Sequence, residues 1–465
     1  MSKKPLNVLF IAVDDLRPEL GCYGQSSIIS PNIDKLASQA MLFNRAYCQQ
    51  ALCSPSRTSL LTGLRPDVTR VTDLTTHFRK TIPQAVTLPQ YFKQNGYHAL
   101  SMGKIFHNGL DDSLSWSEPS WWPRPRPDNY VNKESMALLK TKQRVPVYES
   151  ADVPDNTYLD GMMADHALEV LKTLKNNQKP FFMAVGFSKP HLPFVAPKKY
   201  WDLYKSEDIK LADNPFYPEN MPQIAANNFG EMKASYIVPA DVIPDTLARK
   251  LRHGYYACVS YTDAQVGKIL RQLDQLGLRE NTIIVLWGDH GFKLGEHKDW
   301  GKHTNFELDT RVPLLVSYPG MKQKGKKTDG LVELIDVYPS LCQLAGLPIP
   351  ATLQGLSFVP LIENPGRLWK QAAFSQHPRE WYKREVYPKR DVLGYSIRTG
   401  QYRFTRWQRG PVNKPEEVIA LELYDHQKDD NENVNLAGKP EYAAIVKQLT
   451  IMLNKGSTEV LLKKG

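Results

Sequence analysis

Three nearly uninterrupted apolar runs, Leu6–Val13, Phe181–Phe187 and Thr282–Trp287, constrain this chain more than any other feature. None shows the in-and-out alternation of a half-exposed strand, so each reads as a strand buried on both faces. Tyr97–Met102, after a break at Gly96, and Pro313–Tyr318 read as further strands. Helical stretches lie between them: from about Pro31, with Ile33, Leu36, Ala37 and Ala40 on one face, at Ser56–Thr62, over Met162–Leu174, from about Leu247 to Leu276, and over Val332–Ala345. Strands alternating with helices predict an α/β fold whose large, mostly parallel sheet is sandwiched by helices. Ligands of such sheets gather at the carboxyl ends of the strands. Asp14-Asp15 and Asp289-His290 both stand at strand ends.

The pattern changes after about residue 373. Tyr395–Arg398 and Tyr402–Trp407 flank Thr399-Gly400-Gln401, an antiparallel hairpin signal. Residues 1–373 are therefore expected to form the catalytic domain, and 374–465 a smaller α+β subdomain with an antiparallel sheet and a closing helix. Trp116–Pro127, rich in Trp and Pro, predicts an irregular loop. There are no internal repeats.

The chain's 465 residues exclude a small disulfide scaffold or a lone recognition module, and 10% aromatics exclude disorder. No run approaches the roughly 18 apolar residues of a membrane helix. A net charge of +10 favours an acidic partner or a solubilising surface. The densest basic cluster, Lys322, Lys324, Lys326 and Lys327, reads as a solvated loop. Five scattered cysteines, Cys22, Cys48, Cys53, Cys258 and Cys342, fit neither a disulfide framework nor metal-type CxxC spacing. Met1-Ser-Lys-Lys-Pro5 runs straight into a strand with no apolar signal region. Either the protein is cytoplasmic or a signal has been removed.

The most informative segment is Cys53-Ser-Pro-Ser-Arg57-Thr-Ser-Leu-Leu-Thr62-Gly63. Alone, a cysteine here could be a buried thiol near a helix N-cap. The full string resembles the signature of the sulfatase family, which has an alkaline phosphatase-like fold. The resemblance implies that a maturation enzyme oxidises Cys53 to formylglycine, whose hydrate is the nucleophile. One gem-diol oxygen attacks sulfur, and deprotonation of the other expels sulfate.

Asp14-Asp15 and Asp289-His290 could be an N-cap pair and a simple turn. Converging, they would instead make a hard-cation site. The resemblance implies calcium, held by Asp14, Asp15, the modified Cys53, Asp289 and His290. Many sulfatases carry Asn where this chain has His290.

Single histidines and lysines at strand ends are ordinary hydrogen-bonders. Together, Arg57, Lys104, His107, His191 and Lys302 would form a cationic pocket for a tetrahedral dianion. Ser101-Met-Gly-Lys104-Ile-Phe-His107, Gly186-Phe-Ser-Lys-Pro-His191 and Leu294-Gly-Glu-His297-Lys-Asp-Trp-Gly-Lys302 are similar to the branch of the family that removes 2-O-sulfate from uronic acids. So are Phe374-Ser-Gln-His-Pro-Arg379, Gly394-Tyr-Ser-Ile-Arg-Thr and Glu422-Leu-Tyr-Asp-His-Gln-Lys-Asp. The likeness runs from Asn7 to about Leu436 and is weakest between Ser113 and Asp155.

It implies that Arg57 and Lys104 hold the nucleophile, that His191 protonates the leaving sugar oxygen with help from Lys302, and that His107 takes the proton that releases sulfate. A uronate demands a cation, and Arg379, His377 and Arg398 are the candidates. Trp116, with Trp121 and Trp122, could stack on sugar or simply anchor its loop. The partners implied are a sulfated oligosaccharide and the formylglycine-generating enzyme, not nucleic acid or a membrane. The compartment implied is periplasmic, secreted or lysosomal-type. Two alternatives stay open: a phosphate or phosphonate ester hydrolase of the same superfamily, and a glycan-binding protein with unconverted Cys53.

Overall fold

A computed structural model of the chain describes residues 5–124, 126, 129–177, 179–227, 229–239, 242–379 and 392–459. Residues 1–4 of the amino-terminal segment, and Pro125, Pro127 and Asp128 at the tryptophan-rich loop, lie outside the described residues.

Seven strands form the main sheet: β1 (Asn7–Val13), β2 (Met41–Phe43), β3 (His98–Gly103), β4 (Phe181–Phe187), β5 (Thr282–Gly288), β6 (Leu314–Ser317) and β7 (Lys327–Thr328). Their order is β7-β2-β6-β5-β1-β4-β3. β5, β1, β4 and β3 run parallel, whereas β6 is antiparallel to both β5 and β2. Every residue of β1, β4 and β5 is buried. Along β1, Leu9, Ile11 and Val13 face one apolar core and Val8, Phe10 and Ala12 the other. An apolar run without alternation is thus what a strand covered on both faces requires.

The helices that matter for the site are α1 (Pro31–Ala37), α2 (Cys53–Thr62), α3 (Leu159–Lys175), α4 (Gly230–Ser235), α5 (Asp245–Gln275) and α6 (Val337–Leu344). α2 starts one turn before the expected Ser56. Pro55 falls in its first turn, where a missing N–H costs no hydrogen bond. Val332–Ala345 is not one helix. Val332–Glu333 is a short strand, Leu334–Asp336 a 3-10 turn, and only then does α6 begin. Lys370 donates to both Glu333 and Asp336, and Asp336 accepts from the Glu333 amide, which holds the entry extended.

The carboxyl-terminal sheet is antiparallel: β8 (Ala372–Pro378), β9 (Val392–Thr399), β10 (Tyr402–Arg409) and β11 (Glu417–Asp425) in sequence order. The expected hairpin joins β9 to β10, with Arg398 opposite Arg403. α7 (Ala443–Glu459) follows, and its Leu449 and Leu453 share a small core with Ile397, Phe404 and Leu423 of this sheet. No described helix is long and apolar enough to cross a membrane.

Candidate active site

Val13 lies opposite Gly288, so the two residues after β1 and the two after β5 emerge side by side. The Asp15 amide donates to Asp289 Oδ1 at 3.1 Å, and the Asp289 amide donates to the Val13 carbonyl at 3.3 Å. Asp15 has φ 56°, a left-handed conformation that a non-glycine residue adopts only under constraint. The Tyr255 hydroxyl of α5, donating to the Asp15 carbonyl at 2.8 Å, supplies part of that constraint.

α2 brings Cys53 in at its first position, after an extended Leu52. Arg57, one turn on, shares that face. Its Nε donates to Asp289 Oδ2 at 2.8 Å, one terminal nitrogen to Asp14 Oδ1 at 3.0 Å, and the other to the carbonyls of Lys104 and Ile105. With no solvent contact, Arg57 is a clamp on two carboxylates rather than a ligand for an incoming dianion. Lys104 Nζ pairs with Asp14 Oδ2. Lys302 Nζ reaches both Asp15 oxygens, at 2.9 and 3.1 Å.

His290 Nδ1 is 3.0 Å from the Gly291 carbonyl, which makes it the donor and directs Nε2 at Cys53 Sγ, 3.2 Å away. Burial and Asp14 work against ionising the Cys53 thiol, but Lys104, Lys302 and His290 hold it well below the ordinary range. Burial pushes Asp289 up to about 7 against the pull of Arg57 and His290. Burial opposes the charge on His290, yet Asp289 and Cys53 raise it to about 9.

His191 follows β4 in a loop held by Asp160 of α3, which accepts the amides of Ser188 and Lys189 at 2.9 and 2.7 Å. Lys189 Nζ donates to the His191 carbonyl at 2.8 Å. His191 Nδ1 lies 2.7 Å from the Leu192 carbonyl, and Nε2 lies 3.2 Å from Glu231 Oε1 and 4.0 Å from Asp15. Burial disfavours its charge, but Asp15 and Asp14 push it up to about 10. His107, half-buried in the loop after β3, keeps a buried Nδ1 with no partner among the described residues.

Sequence reading missed Glu231 of α4, which touches His191 and also Lys302 at 3.2 Å and His303 at 3.6 Å. It sits in a stretch without clear periodicity, so nothing local marks it. Asp160 was missed because an acidic residue in a helix's first turn is an ordinary stabiliser.

The expected substrate residues need correction. Trp116 is in the core, against Phe106, its Nε1 on Asp111 at 3.0 Å, and presents no sugar platform. Arg379 is buried, donating to the carbonyls of Ile224, Ala225 and His303 and stacking over Trp407 at 4.6 Å. Arg398 pairs with Glu307 at 3.0 Å. His377 lines a cavity beside Glu231 and His303. Burial, Arg379 and His303 hold its pKa well below the ordinary value, so it cannot supply the cation a carboxylate needs.

The carboxylates of Asp14, Asp15 and Asp289 suit a hard divalent cation, whereas the Cys53 thiol and the His290 imidazole are softer donors. Ligand atoms of Asp14, Cys53, Asp289 and His290 lie within 4.8 Å of one another and all four residues are buried, and Asp14, Asp15, Cys53 and His191 form an overlapping group of the same span. Each group carries two buried carboxylates, and burial pushes Asp289 up to about 7 even against Arg57 and His290, so a further positive charge beside it would be favourable.

Residues 6–347 match the Sulfatase family model, and residues 295–459 match that of the N-sulphoglucosamine sulphohydrolase C-terminal region. The chain is 39% identical to iduronate 2-sulfatase of Mus musculus over 96% of this chain and 93% of that protein. Among solved structures it resembles a 2-O glycosaminoglycan sulfatase, with TM-score 0.76, 24% identity, and 98% and 93% of the two chains covered. The phosphonate monoester hydrolase of Agrobacterium radiobacter shares the fold, with TM-score 0.75, 22% identity, and 97% and 95% covered. With its signature cysteine set at the ends of β1 and β5 among buried cations and carboxylates, the chain belongs to the sulfatase family and is a sulfuric ester hydrolase.

Proposed function

We propose that the enzyme removes the 2-O-sulfate of a uronic acid residue in a heparan- or dermatan-type glycan. What carries the reading is Cys53, at the head of α2, enclosed by Lys104, Lys302, His290 and the Arg57 clamp. The likeness to iduronate 2-sulfatase over nearly the whole chain supports the substrate class. Residues 1–373 are the catalytic domain in this reading and 374–465 its subdomain. A polymeric glycan places the enzyme in a periplasmic, secreted or lysosomal-type compartment.

Oxidised to formylglycine by its maturation enzyme, the side chain at 53 supplies a gem-diol with one oxygen to attack sulfur and another to expel sulfate. Asp14, Asp15, Asp289, His290 and residue 53 would hold calcium, which when bound neutralises the carboxylates and polarises a sulfuryl oxygen. Arg57 fixes Asp14 and Asp289. Lys104 and Lys302 offer cations to the sulfuryl oxygens as negative charge builds there. His191, charged, donates a proton from Nε2 to the departing sugar oxygen, and Lys302 assists. The Nδ1 of His107, unpaired among the described residues, fits a base that accepts the gem-diol proton as sulfate departs.

Desulfation of 2-O-, 6-O- and N-sulfated disaccharides tests the substrate, with turnover of the 2-O-sulfated uronate alone expected. The second reading, a phosphonate or phosphate ester hydrolase, draws on the shared fold. Side-by-side assay of matched sulfate and phosphate esters decides between them, and the sequence identity to iduronate 2-sulfatase favours sulfate.

A further inference from the structure

Glu231 Oε1 lies 3.2 Å from His191 Nε2, and Oε2 lies 3.2 Å from Lys302 Nζ and 3.6 Å from His303 Nε2. One carboxylate thus spans the two groups that the mechanism assigns to the departing oxygen. Desolvation opposes its charge, yet Lys302 and His191 hold its carboxyl well below the ordinary value.

His191 has one proton to offer. Its Nδ1 is committed to the Leu192 carbonyl at 2.7 Å, which leaves Nε2, and Nε2 faces Glu231. A departing oxygen that takes this proton must stand where Glu231 Oε1 stands. The two cannot be there together. A sulfate ester carries one negative charge, as the Glu231 carboxylate does, so exchanging one for the other preserves the charge balance around His191 and Lys302.

The contact is of a kind that can be released. Oε2 makes no hydrogen bond among the described residues, so charge alone holds it to Lys302. The helix beneath is fixed, since Met232 is fully buried and the Phe229 amide donates to Asp299 Oδ1 at 3.0 Å. The Glu231 side chain is only partly buried, and it lines a cavity of about 640 Å³ that gives it room to turn away. A rotamer change of this sort is fast and leaves α4 in place.

We infer that Glu231 is a latch on the anion pocket: its carboxylate holds His191 and Lys302 until an entering sulfate group displaces it into the adjoining cavity. This latch presupposes the roles given to His191 and Lys302 above, whatever sugar carries the sulfate. It weakens anion binding by the fraction of molecules in which Glu231 stands aside.

Inhibition of aryl sulfate turnover by inorganic sulfate, at fixed pH, tests it. Glu231→Gln should lower both the inhibition constant of sulfate and KM for the aryl ester by about tenfold. Glu231→Asp keeps the charge but, one methylene shorter, cannot span His191 and Lys302, so it should follow Glu231→Gln. Constants unchanged or raised in Glu231→Gln would overturn the latch. So would a Glu231→Asp enzyme that behaves as wild type, because charge alone would then explain the gain. Lys302→Met should weaken sulfate inhibition by at least about tenfold. If it does not, Lys302 does not meet the sulfuryl group, and the mechanistic reading falls together with the latch. If it does and Glu231→Gln changes nothing, the latch alone falls.

Discussion

His290 Nε2 stands 3.2 Å from Cys53 Sγ, its orientation set by the Gly291 carbonyl on the opposite ring nitrogen. Residues 237 positions apart in sequence thereby share one buried charge balance, in which the imidazole helps to hold the thiol below its ordinary pKa. An asparagine here would contribute no charge, so the imidazole couples Cys53 electrostatically to Asp289.

Cys53→Ala should lower turnover by at least about 10³-fold, because the proposed mechanism makes this side chain the nucleophile. The fold should survive, since the lost thiol makes little packing. Cys53→Ser should be almost as inactive, lacking the second oxygen needed for elimination. Circular dichroism and sulfate release check both, and mass analysis of the wild-type peptide shows whether aldehyde has replaced thiol.

Calcium should raise the unfolding temperature of chelator-treated protein, because it would bind the folded state through the buried carboxylates clustered with Asp14. At a concentration one hundred times its Kd the gain should be about 2.7 kcal/mol. Asp14→Asn and Asp289→Asn should blunt that shift, measured by calorimetry with and without the ion.

Replacing His191 with alanine should slow a sugar sulfate by about 10²–10⁴-fold and an activated aryl sulfate far less. The alkoxide needs a proton as it leaves, and the phenolate does not. Equal losses would transfer the acid's role to Lys302.

Arg57→Ala should hurt both substrates alike and also destabilise the fold by about 3–5 kcal/mol, since Asp14 and Asp289 would lose their buried partner. Urea unfolding at neutral pH, with calcium absent, reads the stability part directly.

Glu422 is buried beneath Trp407 and Tyr424, and burial pushes it from 4.5 up to about 7. The folded state therefore holds its proton more tightly than the unfolded chain does. Its contribution to stability is fully present below about pH 4.5 and is lost as pH rises through about 7. Glu422→Gln should remove that decline, worth on the order of 3 kcal/mol at pH 8. Denaturant midpoints at pH 5 and pH 8 for both proteins measure it.

The buried strands were legible because a parallel strand covered on both faces must be apolar at every position, and β1, β4 and β5 are. The signature from Cys53 to Gly63 and the carboxylates ending β1 and β5 were legible because local chemistry marks them. Where pairs of side chains meet was not. Arg379 and Arg398 looked available for a substrate because a sequence shows a cation but not its partner, and only the packing of β8 and β9 commits them to backbone carbonyls and to Glu307. Trp116 could have stacked on sugar or anchored its loop, and the fold decides for packing, against Phe106. Glu231 carries no local signal at all, since its place between His191 and Lys302 depends on α4 approaching the ends of β1 and β5 from a distant part of the chain. The sequence by itself determined the layered fold and the family, both of which follow from short-range pattern. The tertiary structure decided which charges are already satisfied, because pairing depends on side chains hundreds of residues apart meeting within a few ångströms.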